Sequence, residues 1–116
     1  DGLGELEAMR ARLAWYPHDV WRYLLAAQWQ RIGQQEPFVG RGSEVGDDVG
    51  SRLVAATLVR DLMRLCFLME RRYAPYTKWF GPAFARTLSI SGPSPMMISF
   101  FSGIRLNTSA MRSIFL

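Results

Sequence analysis

The sequence predicts an all-α fold, a small bundle of three to four helices followed by an irregular C-terminal tail. Two observations carry that reading. Apolar residues recur at helical spacing through several long segments, and the breaks between those segments are rich in proline and glycine. Composition agrees with a packed domain, since 49% of the 116 residues are apolar and 13% aromatic. A chain of this length has room for one domain and buries roughly 60–70% of its unfolded surface.

The first helix is predicted from Leu3 to Leu13, where Leu3, Leu6, Met9 and Leu13 repeat at helical spacing and Glu5, Glu7, Arg10 and Arg12 lie outside. "WYPHDVW" breaks it. Pro17 suits the start of a second helix, and Asp19 sits near that helix's positive end. This helix carries a broad apolar face of Val20, Trp21, Leu24, Leu25, Gln28, Trp29 and Ile32, with Gly33 as the expected stop. The stretch "QQEPFVGRGSEVGDDVG", Gln34 to Gly50, holds four glycines and a proline and reads as a loop. A long helix is predicted next, from Val45 or Asp48 to Arg72. Its stripe is Val49, Leu53, Ala56, Val59, Met63, Cys66 and Phe67, with Arg60, Asp61 and Arg64 on another side. It must end before Pro75, because the residue preceding proline disfavours helical geometry. A short fourth helix follows from Thr77 to Arg86, with a split or kink expected at Gly81-Pro82.

After Leu88 the character changes. Residues 89–116 contain no acid and no clean period, so the helical bundle is assigned to residues 1–88 and the remainder to the tail. Eighteen uncharged residues separate Arg86 from Arg105, but prolines, glycines and serines interrupt them too often for a membrane span.

The net charge is +4, and the basic excess is almost wholly arginine, because Lys78 is the single lysine. Guanidinium forks match phosphate and carboxylate, so anionic partners are mildly favoured. Charge alone does not call for nucleic acid. One cysteine excludes an intrachain disulfide, and Cys66 within "LMRLCFLM" reads as a buried small hydrophobe rather than a nucleophile. One histidine and one cysteine, far apart, make no zinc site. No signal peptide is visible, which gives a cytoplasmic expectation. The opening without methionine suggests a processed or excised part of something longer.

Several patterns invite catalytic readings that their spacing does not support. Gly40, Gly42 and Gly46 do not have the dinucleotide-fingerprint spacing, and helix rather than strand precedes them. "GRGSEVGDD" offers Gly42-Ser43 and then Asp47-Asp48, but adjacent acids on a strand would point to opposite faces. Helix entry with acids near the N-terminus is the simpler account. His18 and Asp19 are sequence neighbours, which do not face each other on a helix. No catalytic or metal-ligating residue is assigned.

"ERRYAPYTKWFGPAF", Glu70 to Phe84, is different. Tyr73, Tyr76, Lys78 and Trp79 carry polar ends on a dense aromatic segment beside Arg71 and Arg72, which reads either as core packing with cation–π staples or as a binding surface.

Together "ARLAWYPHDVW", "FVGR…VGDDVGSRL" and "LMRLCFLMERRYAPYTKWFGPAFARTL" resemble the helical domain called domain of unknown function 4037, found on the C-terminal side of nucleotidyltransferase-like proteins. The similarity runs from about Leu3 to Leu88, and Tyr-x-Pro-Tyr-x-Lys-Trp, Tyr73 to Trp79, is its most specific block. The resemblance implies a helical bundle that follows a nucleotidyltransferase-type α/β domain. That preceding domain would carry the catalytic carboxylates, while the helical domain would close the cleft and help hold nucleotide or acceptor, with magnesium and a nucleoside triphosphate as the parent protein's cofactors. On this reading Arg41, Tyr73, Tyr76, Lys78 and Trp79 line the cleft, with Arg41 and Lys78 as phosphate contacts. The preceding domain is the expected partner, and without it self-association through an uncovered apolar face is expected. The chain departs from the family pattern after Leu88, where another amphipathic segment is expected; an altered or truncated reading frame is one explanation. The alternative is a non-enzymatic interaction module that binds a protein partner through its aromatic face.

Overall fold

The computed structural model describes residues 2–91 and residue 95. Within them the fold is all-α: α1 (Gly2–Leu13), α2 (His18–Glu44), α3 (Asp48–Met69), a 3-10 turn (Thr77–Trp79) and α4 (Phe80–Ser91), with no strand among the described residues. The predicted tail lies outside the described residues, apart from residue 95 and residues 89–91, which continue α4.

α2 and α3 form a long antiparallel hairpin, and its seam can be followed contact by contact. Ser51 Oγ donates to the Val39 carbonyl at 2.9 Å near the turn. Further along, Arg31 Nε reaches Asp61 Oδ2 at 3.2 Å and Gln28 Nε2 donates to the Asp61 main-chain oxygen at 2.8 Å. At the far end Trp21 Nε1 donates to the Leu68 carbonyl at 2.7 Å. The core along this seam is Ile32, Val39, Leu58, Leu62, Leu65, Cys66 and Met69, with Leu25, Val54, Ala55 and Phe84 packed against it. α4 closes one end through Phe80 and Phe84, whose rings lie 5.3 and 6.1 Å from Phe67.

Three expectations need correction. The predicted loop from Gln34 to Gly50 is helical as far as Glu44, and only Val45 to Asp47 turn the chain. Pro37 inside α2 removes the hydrogen bond to the Gly33 carbonyl and typically costs about 3 kcal/mol. The loss falls on the exposed side, where water can satisfy that carbonyl. Ile32 and Val39, two turns apart, share the buried face, so the helix must continue past Pro37 for Val39 to reach the core. Gly42 then allows the close approach at the hairpin's end: a Cβ there would stand 3.2 Å from Ser51 Cβ.

The second correction concerns the buried side of α3. Val49 and Leu53 are exposed, whereas Leu58, Leu62 and Leu65 are buried. Asp61, assigned to the polar side, is only 2% exposed. A buried carboxylate needs a partner, and Arg31 supplies it across the seam.

The third correction concerns α1. It forms over the predicted residues but buries none of them, so Leu3, Leu6, Met9 and Leu13 are all exposed.

Candidate functional site

The aromatic segment sits just beyond the C-terminus of α3, and the way that helix ends decides its position. Arg71 N donates to the Leu68 carbonyl and Arg72 N to the Phe67 carbonyl, at 3.2 and 2.9 Å. This crossed pair is a Schellman ending, with Arg71 at φ 54° where glycine is usual. A non-glycine residue in that region is strained by its Cβ. The strain is met by a contact: the Arg71 guanidinium lies 4.3 Å from the Trp21 ring centroid, a cation–π stack.

Tyr73 is then drawn back to the α1–α2 elbow. Its hydroxyl donates to the Leu13 carbonyl at 3.0 Å. Its ring packs with Trp15 and Tyr16, and all three centroid separations are 4.9 Å. Rings this close fill the space between them, so the trio is a clamp rather than a cage for a cation. Trp15 Nε1 is buried there without a hydrogen-bond partner.

Beyond the clamp the segment turns outward. Tyr76 is 77% exposed and Trp79 is 55% exposed, and Lys78 Nζ lies 5.2 Å from the Trp79 ring centroid. Lys78 and Trp79 therefore form one exposed cationic and aromatic unit, with Tyr76 beside it in the chain. From Arg71 to Arg86 there are four basic residues and no acid, with Glu70 immediately before them.

Arg41 does not join them. It lies in the last turn of α2, where its guanidinium is 5.6 Å from the Phe38 ring centroid. Tyr73 follows the opposite end of α3, whose 22 residues span about 33 Å at 1.5 Å each. The five candidate residues thus divide three ways: Tyr73 in the clamp, Tyr76, Lys78 and Trp79 on the exposed segment, and Arg41 at the other end of α3.

The other sequence candidates take structural roles. Asp47 is the N-cap of α3, accepting from the Gly50 amide at 2.8 Å. His18 begins α2 with its ring 5.9 Å from Trp21, and Asp19 lies in the same first turn. Cys66 is core, and its thiol pKa is raised from 9.0 to about 11, first by burial and second by the Glu70 carboxylate. Among the described residues no three of His, Cys, Asp and Glu come together as a metal site, and no helix is long and apolar enough to cross a membrane.

The sequence reading missed the clamp partners Trp15 and Tyr16 and the Trp21–Arg71 stack. Each pair joins residues more than 45 positions apart, which periodicity cannot register. It also gave no role to Arg60 and Arg64, four residues apart on α3, although that spacing places two cations on one face.

A protein-family model, Domain of unknown function (DUF4037), matches residues 1–80. Neither the curated proteins nor the solved structures hold a significant match to this chain.

Proposed function

The chain belongs to the family described as Domain of unknown function (DUF4037), and from that premise we propose that it is the accessory helical domain of a nucleotidyltransferase-like protein. Its part is to help close a cleft around nucleotide and acceptor, without catalysing transfer itself. The observation that carries the reading is α1. Its repeat of Leu3, Leu6, Met9 and Leu13 is uncovered, with Leu6 at 46% and Leu13 at 73% exposure.

A helix of this length has little stability of its own in water and depends on packing its apolar face. Contiguous exposed apolar surface of this kind marks an interface. A preceding α/β domain is the occupant that this reading puts on α1. On this reading the catalytic carboxylates and the magnesium they hold lie on that domain, while Asp47 of this chain caps α3. Lys78, exposed beside Trp79, is the phosphate contact offered by the aromatic segment. The same reading makes the protein cytoplasmic, where nucleoside triphosphates are available.

The test is the mass in solution by light scattering. The chain alone is expected to self-associate through the uncovered stripe, and Leu6→Gln with Leu13→Gln to restore a monomer. A monomeric wild-type chain would remove the uncovered-interface argument.

The exposure of Tyr76 and Trp79 also favours a second reading, an interaction module that grips a protein partner with no nucleotide or magnesium. Nucleoside triphosphate titration of the wild type and of Lys78→Ala, with and without magnesium, separates the two: weakening by Lys78→Ala is expected on the first reading and not on the second.

A further inference from the structure

Under the loop that follows α3 lies a half-open cleft of about 380 Å³, lined chiefly by Arg60, Met63 and Arg64 of α3, Pro75 and Thr77, and Phe80 of α4. That volume falls within the roughly 300–1,000 Å³ usual for small-molecule sites. No carboxylate lines it. Arg60 and Arg64 stand one turn apart on the same face, where like charges oppose each other.

Arg64 is half-buried, and neither guanidinium has a hydrogen bond or ion pair among the described residues. The acid beside Arg60 in the chain, Asp61, faces α2 and is held there by Arg31. Two like charges one turn apart, one exposed and the other half-buried, have no counter-charge on the cleft wall, and their repulsion is relieved by a bound anion.

The geometry points to this cleft as a binding site for a small organic phosphate. Arg60 and Arg64 are the forks that take the phosphoryl oxygens through paired N–H donors. The Thr77 hydroxyl is a further donor on the wall, and Met63, Pro75 and Phe80 form an apolar surface for the rest of the ligand. A planar base or an aliphatic chain attached to the phosphate would meet that surface, whereas inorganic phosphate would use only the arginines. Such a site goes beyond a docking role and does not depend on one.

Calorimetric titration of the 116-residue chain with ATP, pyrophosphate, adenosine and a single-stranded oligonucleotide tests it. ATP is expected to bind saturably at one site, pyrophosphate more weakly, and adenosine not at all. Arg60→Gln and Arg64→Gln should each weaken ATP at least tenfold with helical circular dichroism unchanged, because Arg60 is exposed and Arg64 only half-buried. Arg52→Gln, an exposed charge elsewhere on α3, should leave the affinity as it was.

Absence of saturable ATP binding up to millimolar concentration would overturn the assignment. Equal weakening by Arg52→Gln would do the same, since it would mean diffuse charge rather than a site. Binding confined to a single-stranded oligonucleotide would replace the small-molecule cleft with a nucleic-acid surface.

Discussion

Trp21 donates its indole N–H to the Leu68 carbonyl at 2.7 Å, tying the start of α2 to the last turn of α3. The same carbonyl accepts from Arg71 N, and the Arg71 side chain covers the Trp21 ring. One side chain thus fixes the end of α3 from which the aromatic segment departs. Trp21→Phe keeps a ring for the stack and removes the donor, so it should lower unfolding free energy by about 1 kcal/mol. Trp21→Ala should cost about 3–5 kcal/mol. Urea denaturation followed by circular dichroism measures both.

The Asp47 cap makes a prediction whose sign depends on a second residue. Asp47→Ala should cost about 1 kcal/mol through loss of the bond to the Gly50 amide. Gly50→Ala would ordinarily stabilise a helix by about 1 kcal/mol, but a Cβ at Gly50 would collide with the Asp47 carboxylate. Gly50→Ala should therefore destabilise the wild type and stabilise the Asp47→Ala protein. A double-mutant cycle in urea shows whether the sign reverses.

Arg31 and Asp61 are unequal partners, with side chains 54% and 2% exposed. Arg31→Met strands a carboxylate in the core and should cost about 3 kcal/mol. Asp61→Asn leaves an arginine that can turn to water, and should cost about 1 kcal/mol. Combining Arg31→Met with Asp61→Asn should recover part of the larger loss. Thermal unfolding of the three variants checks the order.

How much of this was legible beforehand depended on whether a feature was local. α1 and α3 could be read because their periods and their proline or glycine boundaries lie within the elements themselves. The predicted fourth helix forms, but Gly81 and Pro82 lie in the first turn of an unbroken α4 rather than at a split. The second half of α2 could not be read, since Gly33, Pro37 and Gly40 are each local breakers. Only the burial of Val39 against α3, a tertiary fact, outweighs them. On α3, apolar residues occupy more of the circumference than α2 and α4 cover. Periodicity alone therefore could not choose Leu58 and Leu62 over Val49 and Leu53. Burial of Asp61 was invisible for the same reason, as its partner comes from another helix. The candidate site shows the same division: Tyr73 to Trp79 stood out as a block, but only the fold separates Arg41 from them.

Cys66 gives a pH test. Its thiol pKa is raised from 9.0 to about 11 in the folded protein, so the folded state holds this proton more tightly than the unfolded chain. This contribution to stability is complete below about pH 9. It is lost as pH rises from about 9 to about 11, because there the unfolded state ionises first. Unfolding free energy should fall across that window in the wild type and fall less in Cys66→Ala. At pH 8 a thiol reagent should label Cys66 only when urea is present, as a buried neutral thiol is a poor nucleophile.

The accessory role is tested most directly by nucleotidyl transfer from radiolabelled nucleoside triphosphate with magnesium. The comparison is between this chain alone and the full-length product of the gene that encodes it. The account predicts transfer by the full-length product, weakened by Lys78→Ala, and none by the chain alone. Transfer by the isolated chain, or a full-length product with no transfer at all, would contradict it.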